Sequence, residues 1–453
     1  MPSTHTANRP PGPRRLSWLS VARQFIAADT TTTLASLQQE YGDIVRVYFR
    51  GESYLISDPG AIQQVLETNQ GNYRKSDVYD DQLAELFGDG LLTASEDHWR
   101  RQQRVIRPLF RPAAIQTFTE LIREETHAMV ERWHQHDGPI DLLAETERVT
   151  LSIIGKAMFS TDMTPHAERL RDALATVRRE FRRQVGGVSL SVPRWVPTQH
   201  NRELAEATEF LDSLVYELIE RRKQSPNGED DMLARLLAAR TDAGESLSDE
   251  QIRDELITFL LAGHETTATA LAWCWYLLCH HPSIHRELYE WTQSTDWLTA
   301  DTPSVDESTL AKHCVQEAMR IYPPVPVISR ELRSPDRLCG YTLPAGSDVL
   351  LSQFLMHRHE DLWDDPLVYR PARFAGPSDR PTYSYFPFGG GARMCIGRQF
   401  ALYEAQLILG LAVSACRLTL ESPMYDSFDA IERESAVTMQ PRPTILTSVD
   451  SWE

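Results

Sequence analysis

Cys395 lies in a setting that could turn its thiol into a metal ligand. Three consecutive glycines, 389–391, precede it, and glycines permit a tight loop and a close approach of the backbone to a flat ligand. A helix is predicted to begin just after Cys395, and the N-terminal end of a helix favours a thiolate. On iron, a thiolate donates electron density that favours cleavage of an O–O bond. Arg393 would neutralise an anionic group of the same ligand.

A second candidate segment, residues 262–267, reads Ala-Gly-His-Glu-Thr-Thr inside a predicted helix. Glycine and paired threonines weaken a helix locally, and a threonine hydroxyl can donate to the carbonyl one turn earlier. Such a weak point opens a groove in which dioxygen could sit. Glu265 beside Thr266 supplies the carboxylate and hydroxyl of a proton relay, which reductive O–O cleavage requires. The alternative is an ordinary core helix with a polar patch, and His264 is interpreted as a packing or hydrogen-bonded histidine.

A third pattern joins an acid and a base in a predicted helix. Glu317 and Arg320 are three residues apart, so they share one helix face and can pair. A surface pair of this kind contributes little to stability. Its context is more specific, because Ile-Tyr-Pro-Pro follows at 321–324 and Tyr-Arg-Pro-Ala-Arg-Phe at 369–374.

Residues 388–397 fill every position of the pattern Phe-x-x-Gly-x-Arg-x-Cys-x-Gly. This segment resembles the cysteine-ligand loop of the cytochrome P450 family, in its soluble prokaryotic form. The resemblance implies that Cys395 is the axial ligand to the iron of haem b, and that Phe388 and Gly397 contact the cofactor. The alternative is a glycine-rich turn before a helix, with an inert buried cysteine.

The resemblance also implies roles for the other two patterns. Glu265 would relay protons, and Thr266 would hydrogen-bond the iron-bound oxygen species. Glu317, Arg320 and Arg373 would form a buried charge cluster that fixes the cysteine loop. Removing one member of such a cluster should be severe, because the remaining charges stay buried without compensation.

Further implied contacts surround the cofactor. Trp99, Arg330 and Arg393 would bind the haem propionates, although Gln103 stands where the family pattern has a basic residue. The substrate cavity would be walled by five largely apolar segments: Tyr79–Leu92, Val177–Trp195, Phe259–Thr266, Val325–Ile328 and Val437–Met439.

The longest predicted element is the helix that carries the Glu265 segment. It begins after Ser248, which forms a capping box with Gln251, and continues for about 32 residues. Its apolar run, 257–279, is long enough to span a membrane. His264 and Glu265 near the middle of that run favour a buried core helix instead.

The order of elements predicts a mainly α fold with minor β structure. Residues 113–222 are mostly helical, and short strands with Pro/Gly-rich loops follow Arg320. We expect one large cytochrome P450-type domain, with about a dozen helices plus small β-sheets enclosing haem. Residues 1–15 are predicted to be a flexible N-terminal segment, neither a signal nor an anchor, and residues 16–453 the haem-binding monooxygenase domain.

Composition narrows the partners of this 453-residue chain. A formal net charge of -18 argues against nucleic acid, and 42% apolar residues indicate a globular protein. Six cysteines without C-x-x-C spacing argue against a disulfide scaffold or structural zinc, and favour a reducing cytoplasm. The scarcity of lysine among 46 basic residues fits either adaptation to high salt or a GC-rich genome.

The resemblance implies an enzyme: a monooxygenase that inserts one oxygen atom from O2 into a hydrophobic substrate of fatty acid, terpenoid or carotenoid type. Electrons would come from a separate ferredoxin and its reductase. A basic helix face formed by Arg100, Arg104 and Arg107 is either a docking patch for that acidic carrier or an ordinary solvated face. A haem-thiolate peroxygenase or isomerase, or a non-catalytic haem sensor, remains as an alternative function.

Overall fold

The structure is a computed structural model that describes residues 9–14, 30–48, 51–76, 88–94, 96–185, 195–225, 231–240, 244, 246–421, 431–435 and 437–452. Within these ranges lie fourteen α-helices: α1 Thr30–Tyr41, α2 Pro59–Gln63, α3 Glu96–Ile106, α4 Pro112–Gln116, α5 Thr119–Gln135, α6 Leu142–Phe159, α7 Ala167–Val185, α8 Gln199–Gln224, α9 Met232–Ala238, α10 Asp249–His280, α11 Pro282–Ser294, α12 Leu310–Ile321, α13 Gln353–Met356 and α14 Arg398–Ala415. The predicted mainly α class is confirmed. The boundary predicted at residue 15 lies outside the described residues.

The β structure is minor and divided among small sheets. The strands of the described ranges are β1 Ile44–Tyr48, β2 Glu52–Ile56, β3 Tyr73–Arg74, β4 Ile140–Asp141, β5 Val327–Leu332, β6 Asp336–Leu338, β7 Tyr341–Leu343, β8 Asp348–Ser352, β9 Arg417–Leu420, β10 Glu432–Ser435, β11 Met439–Arg442 and β12 Leu446–Asp450. The largest sheet has the order β1-β2-β8-β5-β3, in which only β2 and β8 are parallel. A three-stranded sheet, β4-β12-β9, and the pairs β6-β7 and β10-β11 complete the set.

The 32-residue helix α10 is the central element of the core. Its predicted capping box is present: the N–H of Ser248 donates to Gln251 Oε1 at 2.9 Å, and the N–H of Gln251 donates to Ser248 Oγ at 3.2 Å. Helices α6, α8, α12 and α14 all pack against α10. Near its C-terminal end, Trp273 stacks on Tyr322 with ring centroids 3.9 Å apart.

Burial along α10 follows the prediction of a core helix. Between Ile252 and Leu278 every residue is buried except Ala262, Gly263 and Thr266. Among the described residues, no helix combines the length and the apolar character needed to cross a membrane. Ala262, Gly263 and Thr266, the three positions between Ile252 and Leu278 that are not buried, mark the one stretch of this segment where the core borders a cavity.

Candidate active site

The cysteine loop connects the body of the molecule to the start of α14. Its ends are closed by two backbone hydrogen bonds, from Gly389 N to Phe386 O at 2.8 Å and from Cys395 N to Phe388 O at 2.9 Å. Helix α14 begins at Arg398, with Gly397 as its N-cap residue. The loop therefore holds the Cys395 side chain just ahead of a helix N-terminus, as the sequence predicted.

Gly391 shows why this loop needs glycine. Its φ angle is +65°, a left-handed conformation in which a side chain costs about 1–2 kcal/mol. A Cβ atom there would also lie 1.8 Å from the carbonyl oxygen of Leu66. No side chain at this position is compatible with the observed path of the backbone.

The electrostatic setting of Cys395 contains opposing contributions. Burial among protein atoms raises the pKa of the Cys395 thiol, whereas the backbone N–H groups of Gly397 and Arg398 and the Arg398 guanidinium lower that pKa. The backbone donors point at the position where a thiolate would carry its charge. A cation at the cavity side of the sulfur would complete the stabilisation of the thiolate.

A cavity of about 380 Å³ separates the cysteine loop from α10. Cys395, Phe388 and Gly397 of the cysteine loop line this cavity, as do the three open positions of α10. Apolar side chains form most of the remaining wall, among them Leu91, Leu92, Phe110, Phe259, Val325 and Ile328. Cys395 and Thr266 thus line a common, largely apolar space.

Cationic side chains collect at one edge of this cavity, where it meets a second cleft of about 660 Å³. Trp99, Arg330, Arg393 and Lys75 line both spaces. The Arg393 guanidinium lies 4.9 Å from the centroid of the Trp99 ring, and Arg393 Nη2 donates to the carbonyl of Ala94 at 3.0 Å. The structure therefore brings together the three residues assigned to propionate binding.

Lys75 was not identified from the sequence. Nothing in its local sequence distinguishes it, since it follows a two-residue strand at the edge of the largest sheet. Strand β3 pairs antiparallel with β5, with Arg74 opposite Glu331. One step further along this register, Lys75 comes beside Arg330, and only the strand pairing could have shown it.

Thr266 and Glu265 point in different directions. Thr266 lines the cavity, and its hydroxyl donates to the carbonyl of Ala262 one turn earlier, at 2.7 Å, as expected. Glu265 is buried behind the helix, where its carboxylate accepts a hydrogen bond from Thr438 and pairs with Arg178 at 3.1 Å. The structure thus brings Thr266, but not the Glu265 carboxylate, to the cavity wall.

His264 and Gln103 also have defined surroundings. His264 is buried, burial lowers the pKa of its imidazole, and its Nδ1 lies 2.5 Å from the carbonyl of Leu260. The prediction of a hydrogen-bonded histidine is confirmed. Gln103 lines the cavity, and Arg100, one of its basic neighbours, lines the adjoining cleft.

The buried charge cluster forms between α12 and a later loop. Arg320 donates to the two oxygens of Glu317 at 2.7 and 2.9 Å, and Arg373 Nε donates to the same carboxylate at 3.2 Å. Arg320 Nη1 also donates to the carbonyl of His357 at 2.8 Å. The His357 ring in turn accepts the N–H of Phe386 at 2.9 Å, which links the cluster to the start of the cysteine loop.

The proposed substrate walls are only partly described. Residues 77–87 and 186–194, which fall in two of the five segments, lie outside the described residues. Phe259–Thr266 and Val325–Ile328 contribute residues to the cavity as expected. Thr438 and Met439 are instead buried against α10, where Thr438 contacts Glu265 and the Met439 carbonyl accepts the Trp273 indole N–H at 2.8 Å. Thr438 and Met439 lie there because β11, which begins at Met439, packs against α10.

The residues present suit haem b. A flat, mostly apolar macrocycle requires an apolar space between two walls, and its two carboxylates require cations at one edge. The cavity offers both, with a cysteine sulfur on one wall.

Comparison with known proteins also indicates a haem-thiolate protein, over nearly the whole chain. The model of the family described as Cytochrome P450 matches residues 10–447. The chain belongs to the cytochrome P450 family.

Similar P450 proteins include bacterial and mammalian enzymes. The chain is 33% identical to the cyclooctatin synthase of Streptomyces melanosporofaciens, over 85% of this chain and 84% of that protein. It is 32% identical to the pentalenene oxygenase of Streptomyces avermitilis, over 84% of this chain and 85% of that protein. It is 31% identical to Cytochrome P450 4A12B of Mus musculus, over 73% of this chain and 70% of that protein. The protein is thus a P450 monooxygenase that binds haem b through a cysteine thiolate.

Proposed function

We propose that this P450 inserts one oxygen atom from O2 into a hydrophobic substrate, with Cys395 as the thiolate ligand of the haem. One observation carries the proposal: Cys395 and Thr266 line the same apolar cavity, which has a cationic edge. When bound, the haem supplies the activation of O2, which the thiolate promotes.

The residues around the cofactor then take separate tasks. Trp99, Arg330 and Arg393 hold the propionates, with Lys75 as a fourth group at the same edge. Phe388 and Gly397, which line the cavity together with Cys395, would contact the ring. Outside the cavity, Glu317, Arg320 and Arg373 keep the cysteine loop in place through the contacts of His357 with Phe386.

Proton delivery is assigned to the neighbouring pair on α10. In the structure the Thr266 hydroxyl donates to the Ala262 carbonyl. Rotation about the Cα–Cβ bond would let this hydroxyl donate into the cavity instead, and its oxygen could then accept a proton from Glu265. The carboxylate of Glu265, the residue just before Thr266, lies in a buried polar cluster on the far side of the helix, where it contacts Arg178 and Thr438. A rotation of its side chain toward Thr266 would join the two groups.

The substrate is proposed to be a terpenoid, fatty acid or carotenoid. The apolar lining of the cavity supports all three classes, because such surfaces favour burial of hydrocarbon. The relative named pentalenene oxygenase favours the terpenoid class.

Electrons are proposed to come from a separate ferredoxin-type carrier. Arg100, Arg104 and Arg107 are exposed at α3 and just beyond it, and they offer positive charge on an acidic protein.

The proposed location is the cytoplasm. All six cysteines belong to the described residues and carry free thiols, which supports a reducing compartment.

The test is a carbon monoxide difference spectrum of the haem-loaded, dithionite-reduced protein. We expect a strongly red-shifted Soret band in the parent and in the control Cys339→Ser, because Cys339 is exposed and does not line the cavity. Cys395→Ser should lose that band. An unchanged red-shifted band in Cys395→Ser, or a native protein that takes up no haem, would refute the proposal.

A further inference from the structure

A buried polar cluster lies behind α10, on the side away from the cavity. Two carboxylates meet there, Glu147 from α6 and Glu265 from α10. Two guanidiniums from α7 pair with them: Arg171 Nε lies 2.9 Å from Glu147 Oε2, and Arg178 Nη1 lies 3.1 Å from Glu265 Oε1. The contacts of Arg178 and Glu265 belong to the relay already proposed, but Glu147 has had no part in it.

One side-chain amide spans the gap between the two carboxylates. Gln440 Nε2, on β11, lies 3.5 Å from Glu147 Oε1 and 3.4 Å from Glu265 Oε1. Both contacts are long for a hydrogen bond, so the amide holds each carboxylate only weakly. A hydrogen bond also joins the two helices next to this cluster, since the Thr150 hydroxyl of α6 donates to the backbone carbonyl of His264 on α10 at 3.1 Å.

Among the four charged members of this cluster that the structure describes, Arg171 has the most exposed side chain. The side chains of Glu265, Glu147 and Arg178 are 8%, 10% and 12% exposed, whereas that of Arg171 is 38% exposed. Glu147 is the carboxyl in contact with Arg171, so it stands between water and Glu265. A proton from solvent would therefore meet Glu147 first.

Glu147 also has the acidity of a proton carrier. Burial raises the pKa of its carboxyl to about 7, with the neighbouring Glu265 adding to the rise while the Arg178 and Arg171 guanidiniums oppose it. A carboxyl that titrates near neutrality can both take up and release a proton at working pH. A carboxylate held only as a structural partner of Arg171 would remain ionised throughout this range.

We infer that Glu147 is the outer carboxyl of a two-carboxyl proton path, which takes protons from water beside Arg171 and passes them to Glu265. This inference rests on the proposed role of Glu265 and Thr266. In each transfer an O–H bond of the Glu147 carboxyl breaks, and one forms at a Glu265 carboxylate oxygen. Glu147 then takes up another proton from hydronium or a buffer acid in the solvent beside Arg171, so that only protons are transferred and no oxidation state changes. Because Glu147 acts through Glu265, it is a positioning residue.

The first measurement is an infrared pH titration of protonated carboxyl groups in the full-length protein, without turnover. We expect the parent to show a carboxyl band that disappears as the pH rises through about 7, and Glu147→Gln to lack it. Glu145→Gln is the matched control, because Glu145 lies on the same helix but accepts from Trp133 of α5. If Glu147→Gln keeps the band, the inference is overturned.

The second measurement follows electron consumption under O2 by the haem-loaded protein, driven by a ferredoxin and its reductase, across pH in H2O and D2O. Glu147→Gln should lower the rate by about 10-fold, less than the 10²-fold typical of a group that acts directly, and should abolish the inflection near pH 7. Glu147→Asp should restore part of both signals. A parent-like pH profile and isotope effect in Glu147→Gln would overturn the inference.

Two further variants make the outcomes separable. If Glu265→Gln lowers the rate and Glu147→Gln does not, the inference fails and the proposed relay stands. If neither variant has an effect, the relay through Glu265 fails as well. Should Glu147→Gln not fold, Arg171→Gln replaces it: loss of this cation should raise the midpoint of the infrared band, and an unmoved midpoint would contradict the assignment to Glu147.

Discussion

Replacement of Glu317 by Gln tests the buried charge cluster directly. The Glu317 carboxylate is fully buried and accepts four hydrogen bonds: two from Arg320 at 2.7 and 2.9 Å, one from Arg373 Nε at 3.2 Å and one from the N–H of Arg370 at 2.9 Å. Glutamine keeps a single acceptor oxygen and turns an NH2 group toward these donors. The two guanidiniums would remain buried without a counter-charge.

The expected loss of unfolding free energy is about 3–5 kcal/mol, the cost of removing one partner from a buried ion pair. Urea unfolding of the haem-loaded protein measures this loss through the shift of the midpoint. Retention of haem at low urea concentration reports separately on the cysteine loop, which the cluster reaches through His357.

Glu217→Gln is the matched control. Glu217 pairs with Arg221 on the surface of α8, where the two side chains are 60% and 61% exposed. Such a pair contributes about 0–1 kcal/mol. If Glu317→Gln were no less stable than Glu217→Gln, the cluster would not hold the fold in the way argued above.

Three further outcomes are expected. Gly391→Ala should lower the urea midpoint more than Gly346→Ala, because both have a positive φ but only the former would place a Cβ against the Leu66 carbonyl; equal shifts would contradict the packing argument. Thr266→Ala should keep the thiolate spectrum but divert electrons from product to peroxide, and unchanged coupling would rule out the relay. His357→Gln should weaken the fall in the free energy of unfolding that acid causes between pH 6.5 and 3. Burial, and then Arg320, lower the pKa of His357 from 6.5 to about 3. The unfolded chain therefore binds the extra proton between these values, and stability falls as the pH drops from 6.5 to 3; parallel limbs in the two proteins would refute this.

The local parts of the site could be predicted from the sequence. The capping box at Ser248 and the length of α10 follow from side chain to backbone contacts within one turn and from an uninterrupted helical pattern. The glycines before Cys395 predict a tight loop, because the positive φ angles of such a loop are a local property that glycine adopts readily. The acid and base at Glu317 and Arg320 lie within one helical turn, so their spacing alone predicts their pairing.

The positions at which groups from distant segments meet are visible only in the folded protein. Lys75 joins Arg330 because β3 pairs with β5 in one particular register. The Glu265 carboxylate turns away from the cavity toward Arg178, and Gln440 brings it within reach of Glu147, which lies more than a hundred residues earlier. These contacts depend on how α6, α7, α10 and β11 pack. Packing is set by the whole core rather than by any short pattern, so the sequence gives no local signal for them.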